Sequence, residues 1–419
     1  MFYLLFFFYL IAFCWLITRI KFFKNSGLHT RWLIGLFLIR IAATMVNGYL
    51  DLYYYPSSDS IVFNIHGWEE YHLLLQNPKE YITSFFQSVH QGSYSGFLED
   101  SHSFWNDTRD HVVIKMLSIF DFFSQGNFFI NSLFYNVLVF FGCIALYKVF
   151  IKIFPGHKLV LIVCIFLLPS TLFYSSSLHR DGLIYLSLGM IVYHVISIRV
   201  GIGSSLKHII TIIFFLLVVM LLRNFVFIAL IPALAAWIIA EKIPRLSFIT
   251  FLGIYAFAII LFFLTELLPY QFNLPAHVSS RQSDFISIAK NGASAIPVRH
   301  LDPGFIGFLN NLPQALEHSF LRPFITEHQN VLYFPAAIEL LIYQLLFLVF
   351  IFFRKKKMNV SLVIYFGLFL SVTMFIMIGY VIPVIGAITR YRSIYFPFIL
   401  VPITCFTDWR KALRFFHII

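Results

Sequence analysis

The chain has 419 residues, of which 60% are apolar and only 12% charged. That leaves too little polar surface to cover a water-soluble body of this size. Its net charge of +11 does not mark a nucleic-acid surface, because the basic residues sit in short clusters between long apolar runs. The four cysteines, Cys14, Cys143, Cys164 and Cys405, all fall inside those runs and form neither a metal-ligand motif nor an outer-loop disulfide.

At roughly 20 apolar residues per crossing, the sequence predicts an all-α, polytopic integral membrane protein with about 11 transmembrane helices. The predicted spans are 2–18, 32–50, 128–147, 159–174, 182–198, 208–222, 225–240, 247–265, 335–353, 359–379 and 394–406. They form one membrane domain over residues 1–419, with long outer loops at about 51–127 and 266–334 and a short cytoplasmic tail at about 407–419. The pair 208–240 is interrupted by Arg223-Asn224 and reads either as two spans or as a hairpin that does not fully cross. No basic residue precedes the first run, and Arg19, Lys21, Lys24 and Arg31 follow it. It therefore reads as an uncleaved span with its N-terminus outside, not as a secretory signal. Threaded from there, the short inner segments carry clusters such as Lys148, Lys152 and Lys158, and Arg354 to Lys357. Only Glu241 and Asp408 oppose them, as the positive-inside rule requires. The inner face offers no Gly-rich phosphate loop and no soluble domain. The polar residues fall instead in the outer loops and in the short outer turns Ser175–Asp181, Arg223-Asn224 and Gly386–Arg392.

Behind the second span comes GYLDLYYYPSSDSIVFNIHGWEEY, residues 48–71. A helix is predicted from about Asp59 to Leu75, with Ile61, Ile65 and Trp68 on one face and Asp59, His66 and Glu70 on the other. Next to a span, an amphipathic helix of this kind lies in the membrane interface. Asp51 and Asp59 are candidates for a general base or for divalent-metal ligands, since desolvation near lipid raises a carboxyl pKa toward the working range of a base. The structural alternatives are a helix cap for Asp59, with Ser57 and Ser60, and a solvated span end for Asp51. His66, Glu69 and Glu70 are metal-capable groups, but their spacing is no recognised ligand motif. The polar loop 92–110 is a segment that can order around a substrate.

Five arginines on the outer side suit phosphate, which the planar guanidinium binds through paired hydrogen bonds. Arg180 opens a span, with Asp181 beside it to orient the guanidinium or to cap the helix. Arg223 interrupts an apolar stretch, where a charge must be paired or line a cavity. Arg322 lies near Glu327 and His328, and Glu339 in the next span is expected to face an arginine. Arg390 and Arg392 flank Tyr391 and, in an extended segment, point the same way.

These residues carry a resemblance. The acidic residue ending a span (Asp51 or Asp59), the interfacial helix after it and Arg390-Tyr391 before the last span are similar to C-type glycosyltransferases. The pieces around Pro169-Ser170, His179–Gly182, Leu321–Phe324 and Arg390–Ser393 resemble bacterial O-antigen and exopolysaccharide polymerase-like membrane proteins. The first loop departs from the family pattern in having no Asp-X-Asp or Glu-X-Asp. The resemblance implies a glycosyltransferase or polymerase at the outer face of a bacterial cytoplasmic membrane. Its donor is a sugar on polyprenyl phosphate or pyrophosphate; Asp51 or Asp59 is the base, and Arg180, Arg223, Arg322, Arg390 and Arg392 hold the leaving phosphate, with His66, Glu70 and Asp181 in support. No soluble cofactor is required, and a divalent metal is optional. Partners are the lipid-linked glycan, membrane lipid and other glycan-assembly proteins. A flippase for a lipid-linked glycan, or a non-catalytic part of an export complex, is the competing reading.

Overall fold

The computed structural model describes residues 2–55, 58–86, 104–289, 294–327, 333–356, 358 and 360–415, side chains of 104–107 excepted. In chain order the first helices are α1 (Phe2–Arg19), α2 (Lys21–Lys24), α3 (Thr30–Tyr53), α4 (Asp59–Gln76), α5 (Pro78–Thr83), α6 (Phe104–Ser124) and α7 (Phe128–Ile153). Then come α8 (Lys158–Ile162), α9 (Pro169–Ser176), α10 (Arg180–Arg199), α11 (Ser205–Leu222), α12 (Asn224–Lys242), α13 (Ser247–Leu264) and α14 (Leu274–Ala289). The last are α15 (Phe305–Leu316), α16 (Phe334–Phe353), α17 (Leu362–Val381), α18 (Ile385–Ser393), α19 (Phe396–Phe406) and α20 (Trp409–Phe415). Among the described residues there is no β-strand, only the isolated bridges Ala295–Val384 and Arg354–Thr407.

Nine of these helices are long and apolar enough to cross a membrane, or ten if the broken pair Lys158–Leu167 and Pro169–Ser176 is one span. The protein is therefore a multi-pass membrane protein. The segment 208–240 resolves into two full-length helices, α11 and α12, separated at Arg223. The final predicted span corresponds to α19, only 11 residues long. At about 1.5 Å per residue that is roughly half the hydrocarbon thickness.

The described residues gather into two compact units. One takes the described parts of Met1–Phe97, Ser101–Pro155 and Ile165–Phe225; the other takes Gly156–Cys164 and the described part of Val226–Ile419. In the first, α7 is the central helix, with most of its aromatic and aliphatic residues from Phe128 to Phe150 buried. It crosses α10 at Gly142 and Gly189, where a Cβ on either glycine would run into the partner backbone. Such bare crossings let helices pack in the absence of a hydrophobic drive between spans.

Within the predicted outer loop 51–127, α4 packs on α6, a second long helix that the sequence reading placed in a loop. The side of α4 that packs is not the apolar face read from the sequence. Its buried residues are Ser60, Phe63, Asn64 and Gly67. Gly67 sits against Leu117 with no room for a side chain, whereas Ile65 is 52% exposed. Ser60, Asn64 and Gly67 permit a close approach, Phe63 is the large apolar residue buried with them, and Val62 and Ile65 are left facing outward.

In the second unit α17 is central. Its Phe366 meets Trp237 of α12, and its Phe369 meets Phe251 and Tyr255 of α13. Phe398 of α19 packs over Gly367. Tyr343 of α16 stacks edge-on against Phe396, ring centroids 4.8 Å apart.

Candidate functional site

The structure separates the two aspartates proposed as base. Asp51, in the last turn of α3, is buried at 7% exposure and accepts a hydrogen bond from the Ser60 hydroxyl at the start of α4. It is not a solvated span end: the carboxylate ties the end of a span to the helix that follows. Ser58 continues the link, its hydroxyl 3.1 Å from that of Ser60. Asp59 is exposed and is the first residue of α4; the cap position is Ser58, which makes no side-chain cap bond. Ser57 lies outside the described residues.

His66, Glu69 and Glu70 do not converge. His66 Nδ1 and Glu69 Oε2 are 2.9 Å apart on the exposed side. Glu70 is salt-bridged to Lys115 of α6, whose ammonium lies 3.8 Å from the Tyr81 ring centroid and also donates to the Ser84 hydroxyl. Glu70 thus closes the packing of α4, α5 and α6 rather than sharing a polar face with Asp59 and His66. Among the described residues no group of three or more His, Cys, Asp or Glu is placed to hold a metal ion.

Arg180, Asp181 and Arg223 are paired differently from the sequence expectation. Asp181 does not orient its neighbour Arg180. It is fully buried and forms an ion pair with Arg223, itself 8% exposed at the break between α11 and α12. Arginine at this depth is tolerated because it is paired. Arg180 instead bridges to Asp110 of α6 at 2.7 Å, its guanidinium 5.3 Å from the Phe63 ring centroid. Of the described carboxylates in arginine pairs of this unit, Asp110 is the accessible one, its side chain 38% exposed. Residues 92–103 of the predicted substrate-ordered loop lie outside the described residues.

The turn Ser175–His179, predicted at the outer surface, is buried. Its reason lies in α9, whose terminal carbonyls need donors. Arg40, in the middle of α3, donates to the Ser175 carbonyl and hydroxyl, and its Nε donates to Asn136 Oδ1 at 2.6 Å. Thr44 and Asn136 donate to the Ser176 carbonyl at 2.9 and 2.8 Å. Tyr135 donates to the His179 carbonyl. Arg40 is a lone charge in its span; its acceptors Asn136 and Ser175 are neutral groups 96 and 135 residues further on and carry no local signature.

A second buried polar group was missed. Asp121 Oδ1 accepts from Ser124 (2.8 Å), Asn131 (2.7 Å) and the Gly126 amide (3.2 Å), and Asn131 also donates to Asn64 Oδ1. Burial drives the Asp121 carboxyl above the usual carboxylate range against the pull of those donors. One signal was legible: a single acid in the aromatic run Ile119–Phe123.

In the second unit Arg322 is clamped between two carboxylates. Its Nε and one terminal nitrogen donate to Glu317 at 3.0 and 2.8 Å, and the other terminal nitrogen donates to Glu327. Glu327 in turn accepts from the Phe324 amide. His328 lies outside the described residues. Next to the clamp, His318 is buried in a π-helical turn, Glu317–Leu321. Burial first, then the Arg322 charge, push it down to about 4, with Glu317 and Glu327 acting the other way.

The expectation for Arg390 and Arg392 is corrected. They lie in a helix, α18, where residues two apart diverge, rather than in an extended segment. Arg392 is buried, 1% exposed, and donates to the Ser319 and Arg322 carbonyls at 2.9 and 2.6 Å. Arg390 lies part-exposed, 5.7 Å from the Tyr391 ring centroid. Glu339 is buried in α16 and accepts from the Tyr343 hydroxyl.

Compared with known proteins, the chain matches no protein-family model, no curated protein and no solved structure.

Proposed function

We propose that the protein is a membrane-embedded transferase acting on a sugar carried by a polyprenyl phosphate or pyrophosphate, with its N-terminus outside and its C-terminus in the cytoplasm. The observation that carries this reading is Asp51, a carboxylate buried where a span ends and accepting a hydrogen bond from the Ser60 hydroxyl. In the reaction an acceptor sugar hydroxyl attacks the anomeric carbon and the new C–O bond forms. The bond to the lipid phosphate breaks, the electron pair leaves with the phosphate and Asp51 takes the hydroxyl proton. Arg180 is the preferred phosphate ligand of the first unit, because the Asp110 side chain it pairs with is 38% exposed whereas Asp181, the partner of Arg223, is fully buried. Arg223, Arg322 and Arg392 are occupied by buried or clamping partners and act as framework; Arg390 is a second, part-exposed candidate. The lipid phosphate is the activating group, so no soluble cofactor takes part. The source is a bacterial inner membrane, and a divalent metal is tested by adding EDTA.

The test is purified protein in vesicles with extracted polyprenyl-linked glycans, read by mass spectrometry. Wild type converts donor to a longer glycan; Asp51→Asn lowers the rate by about 10²-fold or more, the scale of a general base, while Asp59→Asn does not. Full activity of Asp51→Asn removes the proposed base. A flippase is the second reading, favoured by α9, a short helix whose end is bound inside the unit by Arg40, since broken helices are a transporter feature. An intact donor pool with transbilayer movement of the lipid would establish it.

A further inference from the structure

The predicted outer loop 266–334 contains α15, FIGFLNNLPQAL. At about 100° per residue, Phe305, Leu309 and Leu316 form one stripe, flanked by Ile306 and Leu312, while Asn310 and Gln314 lie across the helix. Only part of the apolar arc is covered. Gly307, Phe308, Asn311 and Ala315 are buried, but Ile306 is 71% and Leu309 54% exposed. A water-facing helix would carry the opposite arrangement.

What α15 packs against places it in depth. Phe308 meets Phe262 and Phe263 from the last turn of α13, at 5.6 and 5.4 Å between ring centroids, and Tyr380 from the last turn of α17, at 5.0 Å. Ala315 covers Gly379, where no side chain fits. Tyr380 also donates to the Phe308 carbonyl at 2.8 Å. Two spans thus end on the same helix. Exposed Phe305, at the start of the stripe, meets Phe263 of α13 at 5.1 Å between ring centroids; α13 also carries exposed Ile260, Leu261 and Leu264, and the chain then runs into exposed Tyr270 and Phe272. Aromatic residues just beyond a span mark the interface belt.

We propose that α15 lies in the plane of the membrane, with Phe305, Leu309 and Leu316 in the acyl layer of one leaflet and Asn310 toward the headgroups. The occupant of the bare face is lipid, because Phe305 of that face packs on Phe263 at the end of a span whose own side chains are largely bare and apolar. Neighbouring charges are mixed (exposed Arg299, Glu266 and Asp302), so insertion rests on apolar area and needs no anionic lipid.

The test uses the full chain in phosphatidylcholine vesicles, in a Cys14→Ser background that keeps the buried Cys143, Cys164 and Cys405. Spin labels are placed by Leu309→Cys, Asn310→Cys and, as a span reference, Leu261→Cys, and relaxed by oxygen or by a nickel chelate. The expected result is oxygen-dominated relaxation at 309, comparable to 261, and nickel-dominated relaxation severalfold stronger at 310. Nickel-dominated relaxation at 309 overturns the proposal, and so does shielding from both reagents, which a protein cover would produce. All three side chains are exposed, so the labels remove little packing.

Discussion

Asp181 and Arg223 illustrate how much a single residue's meaning depends on its partner. Removing one leaves the other buried without its ion-pair partner, so removing one should cost more than removing both. Arg223→Gln is expected to destabilise the protein by about 3–5 kcal/mol, and Asp181→Asn with Arg223→Gln by less, read as thermal unfolding in detergent. Arg180→Gln, whose partner is accessible, should cost little stability. His318 gives a pH dependence. Its folded-state value is about 4 against 6.5 unperturbed, so between those values the unfolded chain binds the proton and the native one does not. Stability contributed here is complete above pH 6.5 and is lost as pH falls toward 4. Wild type should melt lower at pH 4.5 than at pH 7, and His318→Gln should flatten that difference. The sequence named Arg180, Asp181, Arg223 and Arg322, with Glu327 near the last, but neither the Asp181–Arg223 pairing nor the partners Asp110 and Glu317. Asp110 and Glu317 are ordinary acids in ordinary segments, and nothing in local pattern says that they reach an arginine 70 residues on or five residues on.

Among the elements, α7 and α10 meet at glycines, and that contact leaves no slack. Gly142→Val is expected to cost at least the 1–3 kcal/mol or so of an overpacked core, with Gly201→Ala, at an exposed loop position with nothing near its Cβ but with φ of 70°, losing less. Thermal melting of the two variants side by side decides it. The α4 helix was predicted almost to the residue, because its Ser-Asp start is a local signal. Its packed face was misread, because periodicity reports hydrophobicity while the contact with α6 selects small residues. The buried turn after α9 failed for a similar reason. Ser175, Ser176 and Ser177 read as a surface turn, and the donors brought by Arg40, Thr44 and Asn136 satisfy the buried carbonyls of Ser175 and Ser176.

For the molecule as a whole, the outward surface of the long helices is lined with large apolar side chains, among them Phe7, Ile213, Phe257 and Leu348. Such a surface is stable in lipid and not in water. Under the proposed orientation a fluorescent reporter fused after Ile419 should be active in the cytoplasm, and an alkaline phosphatase fused there should be silent. The reverse pattern would invert the charge argument made from Arg354 to Lys357 and Arg410 to Arg414. By itself, the sequence determined the helical, multi-pass character of the protein, because length and hydropathy are additive along the chain and a bilayer reads them span by span. Only the tertiary structure decided that 208–240 is two helices, that α6 and α15 stand where loops were drawn, and which acid neutralises which arginine. Those outcomes depend on side chains far apart in sequence meeting in a medium where an unpaired charge or carbonyl is too costly to leave exposed.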